Sequence, residues 1–382
     1  MKTRGLYIHI PFCAKKCGYC DFTSFVGNGT QIDDYLSYLD KEFNLYKASG
    51  QIDDIETIFI GGGTPSILSA GQLERLFSII GENVDLSKLR EYTMESNPGS
   101  LTRDKLELMK AGGLNRLSIG LQASQDHLLK FLERIHTYEE FLESYRLARL
   151  VGFDNINIDL MFAFQGQTFE DWRETLERVV SLEPDHISAY SLIIEEGTRF
   201  FNMYEDGSLT DYDEDEYVQM YRYTIDYLAD KGYGQYEISN FAKQDKECRH
   251  NLIYWDDREY YGLGLGSSGY LGGKRYTNYK NMFNYYKKLD AGEKPIAFEE
   301  TISNREKLNE YLILGLRKIE GISRTKYLDR LKKIDEDKYK DNIEIINSYI
   351  ESGHIIQEGD HIRLGQTGLE ISDTISLDLL LY

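Results

Sequence analysis

The sequence predicts an α/β fold, in which a parallel sheet is covered by helices and followed by a helical C-terminal module with a short hairpin. Three observations carry this. Six short apolar or β-branched runs alternate with amphipathic helical patterns through the first half of the chain. Helix-start signals recur between them. From about residue 304 the strand runs give way to consecutive helical patterns that end in a hairpin-like segment.

In chain order, the strand-like runs are residues 6–10 (LYIHI), 56–61 (ETIFIG), 92–96 (YTMES), 116–122 (RLSIGLQ), 155–162 (NINIDLMF) and 186–192 (HISAYSL). Helical patterns fall between them at 35–48, 72–80, 103–111, 139–151 and 169–182. Ser69 with Gln72, Thr137 with Glu140 and Thr168 with Asp171 have capping-box spacing. Apolar strands alternating with amphipathic helices imply right-handed βαβ crossovers and a parallel sheet. Six such units make a partial barrel, although periodicity alone does not separate an open six-unit barrel from an eight-unit one or from a flat sheet. In all of these, chemistry gathers at the C-terminal strand ends.

After residue 192 the pattern changes. A long helix is expected over 214–231, a strand-like run at 233–242, and then the segment CRHNLIYWDDREYYGLGLGSSGY at 248–270. Further helical patterns cover 306–321, 324–334 and 342–353, and 354–365 reads as a hairpin turning at 358–360. The expected division is a barrel over 1–230, an accessory segment over 231–300 and a winged-helix-like domain over 301–382.

A chain of 382 residues that is 41% hydrophobic can bury a large core. Its 64 acidic against 44 basic residues give a net charge of -20, which argues against nucleic acid as a partner, and the last 80 or so residues lack a strongly basic recognition helix. No run approaches the 18 apolar residues a membrane helix needs, so an integral membrane protein is not expected. Four cysteines, three of them clustered, make no disulfide framework and fit a reducing, cytoplasmic setting.

Those three, Cys13, Cys17 and Cys20, stand in a CxxxCxxC spacing directly behind the first strand run. Three soft thiolates so close together suit a 4Fe-4S cluster that keeps one iron open to a ligand other than protein. Zinc is the competing reading, but a structural site closes with four ligands, and the fourth would have to be the distant Cys248 or a histidine such as His9. At the end of the second run, GGGTPS (61–66) gives a backbone that can approach a ligand closely. Glu95, Gln122 and Asp159 lie at or near the ends of the next three runs, and Arg134 lies just beyond the fourth, so polar groups converge on one cavity.

The runs YIHIPFC and YCDF around the cysteines resemble the radical S-adenosylmethionine (SAM) superfamily, and more narrowly its coproporphyrinogen oxidase-like branch. That resemblance implies an open (β/α)6 barrel, SAM held by its amino and carboxylate groups on the open iron, and cleavage of SAM to a 5'-deoxyadenosyl radical by an electron from the cluster. It carries SAM contacts onto Tyr7, Gly62, Gly63, Thr64, Glu95, Gln122, Arg134, Asp159 and Ala189. His250, Asn251, Tyr254 and Trp255 spell HNxxYW, which resembles the signature of the HemW-type heme chaperones; GLGLGSSGY resembles the glycine loop that closes the SAM cavity in the same branch. The resemblance implies heme as a ligand, with His250 as a contact, Arg249 near a propionate and Tyr254 and Trp255 over the macrocycle. HNxxYW lies outside the six core strand runs, so His250 is expected as an accessory ligand and not as part of the radical cavity. It also implies a heme-accepting apoprotein and an electron donor such as a flavodoxin or ferredoxin.

The expected function is therefore that of a radical SAM heme chaperone. The alternative is the oxygen-independent coproporphyrinogen III oxidase of porphyrin biosynthesis. Against it, those oxidases carry CxC after the cluster motif where Asp21 and Phe22 follow Cys20 here, and they have an N-terminal extension not expected in this chain. A structural zinc protein would leave 61–64, Glu95 and Asp159 without a purpose.

Overall fold

The computed structural model describes residues 4–50, 52 and 54–382. The six runs form six parallel strands, adjacent in chain order: β1 (Arg4–Ile10), β2 (Ile55–Gly62), β3 (Glu91–Ser96), β4 (Arg116–Gln122), β5 (Ile156–Phe162) and β6 (His186–Ser191). Their register aligns Tyr7 with Phe59, Ile58 with Tyr92, Met94 with Leu117, Ile119 with Ile158 and Leu160 with Ala189. Between successive strands lie α1 (Gly29–Ala48), α2 (Ala70–Asn83), α3 (Arg103–Ala111), α4 (Tyr138–Val151) and α5 (Phe169–Val180). The three expected capping boxes form, and Asn28 with Gln31 adds a fourth at the head of α1. The partial (β/α)6 barrel is thus the fold of this chain.

Along the strands, apolar and polar residues alternate. Leu117, Ile119 and Leu121 of β4, Ile156, Ile158 and Leu160 of β5, and Ile187 and Ala189 of β6 join the core shared with the helices. Arg116, Ser118, Gln122, Asn157, Asp159, Ser188 and Tyr190 face the lumen. A barrel closed by its own packing fills its interior with layers of branched aliphatic side chains. This interior is polar, which is how a ligand cavity is lined.

Segment 231–300 is hydrogen-bonded into the same sheet on both flanks. The strand-like run at 233–242 is a hairpin of β7 (Gly234–Glu237) and β8 (Asn240–Ala242), with β8 antiparallel to β6. On the other side β9 (Tyr260–Leu263) runs parallel to β1, and β10 (Ser268–Leu271), β11 (Lys274–Asn278) and β12 (Ile296–Thr301) continue antiparallel. The full order is β12-β11-β10-β9-β1-β2-β3-β4-β5-β6-β8-β7. The expected long helix, α6 (Glu214–Asp230), packs on α5.

HNxxYW lies on α7 (Arg249–Trp255), which crosses the N-terminal ends of the strands and floors the barrel. Glu91, the first residue of β3, accepts the N–H groups of Arg249 (2.8 Å) and His250 (3.0 Å), a favourable place for a carboxylate because those groups are otherwise unpaired. Tyr236 Oη takes the N–H of Cys248 (3.2 Å) and meets His186 at the head of β6 (2.8 Å). Beneath α7 sits the C-terminal module. Its helices Asn304–Arg317, Arg324–Ile334 and Glu336–Glu351 and a three-stranded sheet containing the hairpin Ile355–Glu358 and His361–Leu364 enclose a core of their own, with Leu308, Leu312, Tyr327, Leu331, Ile346 and Ile362 at its centre. It is joined to the barrel floor by backbone hydrogen bonds from Ile238 to Arg317 and from Ile319 to Tyr236, and by Arg317 stacked on Trp255 at 4.8 Å. Among the described residues no helix is long and apolar enough to cross a membrane.

One buried carboxyl ties the flank to the barrel. Glu42 of α1 is fully buried and accepts the Gly264 N–H (2.7 Å), Asn278 Nδ2–H (2.7 Å) and Tyr285 Oη–H (2.6 Å). Burial pushes its carboxyl up from 4.5 to about 7 despite those donors. Its folded value lies above its unfolded one, so its contribution to stability is complete below pH 4.5 and lost as pH rises through 7. Glu42→Ala should cost roughly 3 kcal/mol or more, because it strands three buried donors. In urea unfolding, wild type should lose about 3 kcal/mol relative to Glu42→Gln between the two ends of that window; parallel curves for the two proteins would exclude a titrating role.

Candidate functional site

β1 runs through Pro11 into the cysteine loop. Phe12–Cys13 pairs in parallel with Phe25–Val26, and the Phe25 N–H reaches the Pro11 carbonyl (3.0 Å), so the loop is pinned at its base. Within it, a Cys20 N–H to Cys17 carbonyl bond (3.2 Å) makes a turn. The thiols of Cys13, Cys17 and Cys20 share one cavity wall with Gly62, Gly63, Thr64, Glu95, Gln122, Arg134 and Asp159, around a volume of about 260 Å³. Seven of the residues expected to bind SAM are therefore brought to the three cysteines by β2, β3, β4, the loop after β4 and β5. Cys248 is elsewhere, fully buried under the barrel with its Sγ 3.4 Å from Glu91.

The wall is preset in several places. Gly62 has φ +108°, and a Cβ there would run into the His9 ring; a Cβ on Gly63 would stand 2.5 Å from the Phe12 carbonyl oxygen. Only glycine lets this strand end press against the cysteine segment and still border the cavity. The Gly63 and Thr64 N–H groups bind the carbonyls of Ile10 and Phe12 (2.8 and 2.7 Å). Thr64 Oγ1 stands 3.5 Å from Cys13 Sγ, and Arg134 Nη1 stands 3.7 Å from Cys17 Sγ. Arg134 is fixed by Asn97 Oδ1 (2.6 Å) and the Gly120 carbonyl (2.9 Å). Gln122, at φ +74° beside a slip in the β4–β5 register, turns its Oε1 to the Tyr190 hydroxyl (2.8 Å).

Burial dominates the electrostatics. It pushes the Cys13 and Cys20 thiols up, with Thr64 opposing it at Cys13 and the Phe22 backbone at Cys20. Glu95 rises to about 8, through burial first and the neighbouring Asp159 second, while the Gly62 N–H (3.1 Å) opposes the shift. Burial raises Asp159 too, although it accepts from Ser118 and Asn157 (2.9 and 2.8 Å). Two carboxyl groups and two thiols pushed up by burial in one pocket suit a cationic guest. Among the described residues no three His, Cys, Asp or Glu side chains are gathered tightly enough to grip a single metal ion. Three thiols on one cavity wall match the ligand number of an iron–sulfur cluster that keeps one iron open.

A second chamber of about 340 Å³ continues downward from the first, sharing Phe22, Gly62, Glu95, Asp159 and Tyr190 with it. Its own walls include Tyr7, Phe59, Arg116, Ser118, Asn157, Ser188, Asn240 and, on the α7 floor, His250, Asn251 and Tyr254. Tyr7 is held by His9 Nδ1 (2.9 Å), whose Nε2 in turn meets the Thr23 carbonyl (2.7 Å).

Three expectations are corrected. His250 does not stand outside the cavity: α7 is tucked under the barrel, the imidazole is fully buried, and its Nδ1 and Nε2 meet Thr57 Oγ1 and Tyr254 Oη, each at 2.8 Å. Burial, with Arg116 nearby, pushes it down to about 3, so it is neutral. Ala189 is off the cavity wall, because strand alternation turns Ser188 and Tyr190 inward and Ala189 into the helix-side core. The glycine turn after β9 packs behind the cysteine loop, with Gly264 against Tyr35 and His9 and Gly266 against Thr23, not across the cavity mouth.

Arg116, Ser118, Asn157, Ser188 and Asn240 were not anticipated. The signal for the first four was present: polar residues two apart in RLSIGLQ, NINIDLMF and HISAYSL mark an inward face.

Residues 7–179 match the family model for the radical SAM superfamily. The chain is 44% identical over 277 residues to heme chaperone HemW of Lactococcus lactis, covering 72% of each protein. It is 41% identical to heme chaperone HemW of Bacillus subtilis, over 72% of this chain and 73% of that one, and 38% identical to heme chaperone HemW of Escherichia coli, over 69% of each. The solved structure of E. coli coproporphyrinogen III oxidase (HemN), a radical SAM enzyme, superposes with a TM-score of 0.85 at 23% identity, over 99% of this chain and 90% of that one.

Proposed function

Because this chain belongs to the HemW family of heme chaperones within the radical SAM superfamily, we propose that it binds a 4Fe-4S cluster and SAM in the upper chamber, takes up heme, and passes heme to an apoprotein. The observation that carries the cofactor part is the meeting of three free thiols with Gly62, Gly63, Glu95, Gln122, Arg134 and Asp159 on one cavity wall. Membership of the superfamily implies the cluster and SAM, whose chemistry when bound is reductive cleavage of a carbon–sulfur bond.

The chain's own residues do the rest. Cys13, Cys17 and Cys20 supply three ligands and give up their protons on loading, which makes assembly favour higher pH. Arg134 and Thr64, fixed by neighbours of their own, stabilise charge on Cys17 and Cys13. Glu95 and Asp159 offer carboxylates to the ammonium and sulfonium groups of SAM, with Gln122 as a polar contact. The electron comes from a partner such as a flavodoxin or ferredoxin.

Heme uptake draws support from the relatives' names, heme chaperone in each case. The oxidase reading has less behind it, since its solved representative is 23% identical and speaks to the fold alone. An iron ligand at His250 requires its Nε2 to leave Tyr254. Hemin should therefore bind Tyr254→Phe more tightly than wild type and His250→Ala more weakly, read from the Soret band; equal affinities in all three remove His250 from the heme site. In the same preparation, reduced and supplied with SAM, coproporphyrinogen III should persist under anaerobic chromatographic assay. Sustained conversion to protoporphyrinogen IX with no hemin binding would hand the case to the oxidase.

A further inference from the structure

Past the C-terminal ends of β5 and β6 a groove of about 310 Å³ opens, and it shares no lining residue with either chamber. Phe164 after β5, Leu192 and Ile194 after β6, Phe201 and Tyr204 of the short helix Arg199–Glu205, and Tyr212 before α6 give it an apolar lining. Tyr204 is 39% exposed, and Ile193, between the two lining aliphatics, is 67% exposed, so apolar surface is left facing water here. The frame is fixed by hydrogen bonds: the Thr210 N–H donates to Gln165 Oε1 (3.1 Å), the Tyr212 hydroxyl to the Gln167 carbonyl (3.0 Å) and the Tyr204 hydroxyl to Asp211 (2.9 Å). A groove held open in this way costs little to fill. The back of the same short helix rests on the cysteine loop, where the Phe200 N–H binds the Gly18 carbonyl (2.9 Å) and its ring meets Tyr19 edge-on.

Charge says what covers it. Residues 195–216, EEGTRFFNMYEDGSLTDYDEDE, run around the groove and carry nine carboxylates against one guanidinium, Arg199, which is engaged by Glu133. Among the described residues none of the nine is in an ion pair, and their hydrogen bonds come from neutral donors: Ser208 to Asp206, Tyr204 to Asp211 and the Glu216 N–H to Asp213. Carboxylates crowded together with no counter-charge repel one another, and a cationic partner relieves that repulsion and is steered toward them. A merely solvating acidic surface needs no apolar groove at its centre. We infer that this groove docks a basic segment of a partner protein, with an apolar side chain of that segment filling the groove and flanking lysines or arginines meeting the surrounding carboxylates. The inference rests on neither the SAM reading nor the heme reading. A partner docked there stands beside the loop that carries Cys13, Cys17 and Cys20.

The test is fluorescence anisotropy of a labelled peptide, KKLWKKLLKK, titrated with the whole chain. Two control peptides divide the contributions: EELWEELLEE keeps the apolar residues and reverses the charge, and KKSGKKSSKK keeps the charge and removes the apolar residues. The first peptide should bind, the acidic one should not, and the polar basic one should bind roughly tenfold or more weakly. Raising salt from about 50 mM to about 300 mM should weaken the first. Ile194→Asp and Tyr204→Ala should each lower its affinity by roughly tenfold, as should Glu196→Lys combined with Glu205→Lys. Glu74→Lys combined with Glu143→Lys makes the same change of charge on α2 and α4 and should leave the affinity at the wild-type value. Equal binding of the two basic peptides to wild type, no binding of either, or equal loss in the groove and the α2/α4 charge reversals overturns the inference. So does a wild-type dimer that Ile194→Asp dissociates in sedimentation while the peptide fails to bind, since the groove then belongs to a second copy. The comparison of peptides on wild type needs no variant to fold.

Discussion

Replacing any one of Cys13, Cys17 and Cys20 by serine is expected to abolish the broad visible absorption of the anaerobically reconstituted protein, and Cys248→Ser is expected to leave it intact. The contrast follows from geometry. The first three thiols share one cavity wall within a loop pinned at both ends, whereas Cys248 is sealed under the barrel, next to Glu91, with its thiol pushed up to about 12 by burial. A hydroxyl is a poor substitute for a thiolate on iron, and with three protein ligands none is redundant. Iron and sulfide analysis should drop together with the absorption. Stoichiometric zinc without sulfide in protein isolated anaerobically would refute the cluster, and so would loss of the chromophore in Cys248→Ser alone.

For SAM, Glu95→Ala or Asp159→Ala should weaken binding by roughly 10-fold to 150-fold, the equivalent of about 1.5 to 3 kcal/mol for one charge-assisted hydrogen bond. The cluster spectrum should not change, since neither carboxylate is a ligand to iron in this assignment. The pH dependence adds a second signature. Burial and Asp159 hold the free Glu95 carboxyl at about 8, so a cation that selects its charged form must displace a proton. SAM affinity should rise with pH up to about 8 and level off above it, and Glu95→Gln should flatten the curve. Calorimetry that finds both alanine variants at wild-type affinity would remove these residues from the site.

Much of this was readable in the chain, for physical reasons that differ by region. The six barrel strands and their helices follow local rules: apolar runs, 3.6-residue periodicity and caps such as Thr168 with Asp171 fix them without reference to distant residues. The cysteine spacing and the glycine-rich turn at 61–66 are likewise local. The flanks were only partly readable: the run at 233–242 was expected as a strand and is a hairpin, while β9 to β12 are four to six residues long and pair with partners far apart in sequence, such as Gly5 with Tyr260. His250 was misplaced for a related reason. HNxxYW specifies a helix, but only the capture of its N-terminus by Glu91 says that the helix lies under the barrel. Strand parity turns the Ala189 side chain to the helix side. Arg116 was passed over because a buried strand is expected to be apolar throughout, and alternation within it went unread.

The α7 floor also links distant parts of the chain. Glu91 of β3 holds its N-terminus, Arg317 of the C-terminal module stacks on Trp255 at its other end, and His250, Asn251 and Tyr254 between them line the lower chamber, so the module touches the lumen wall through one short helix.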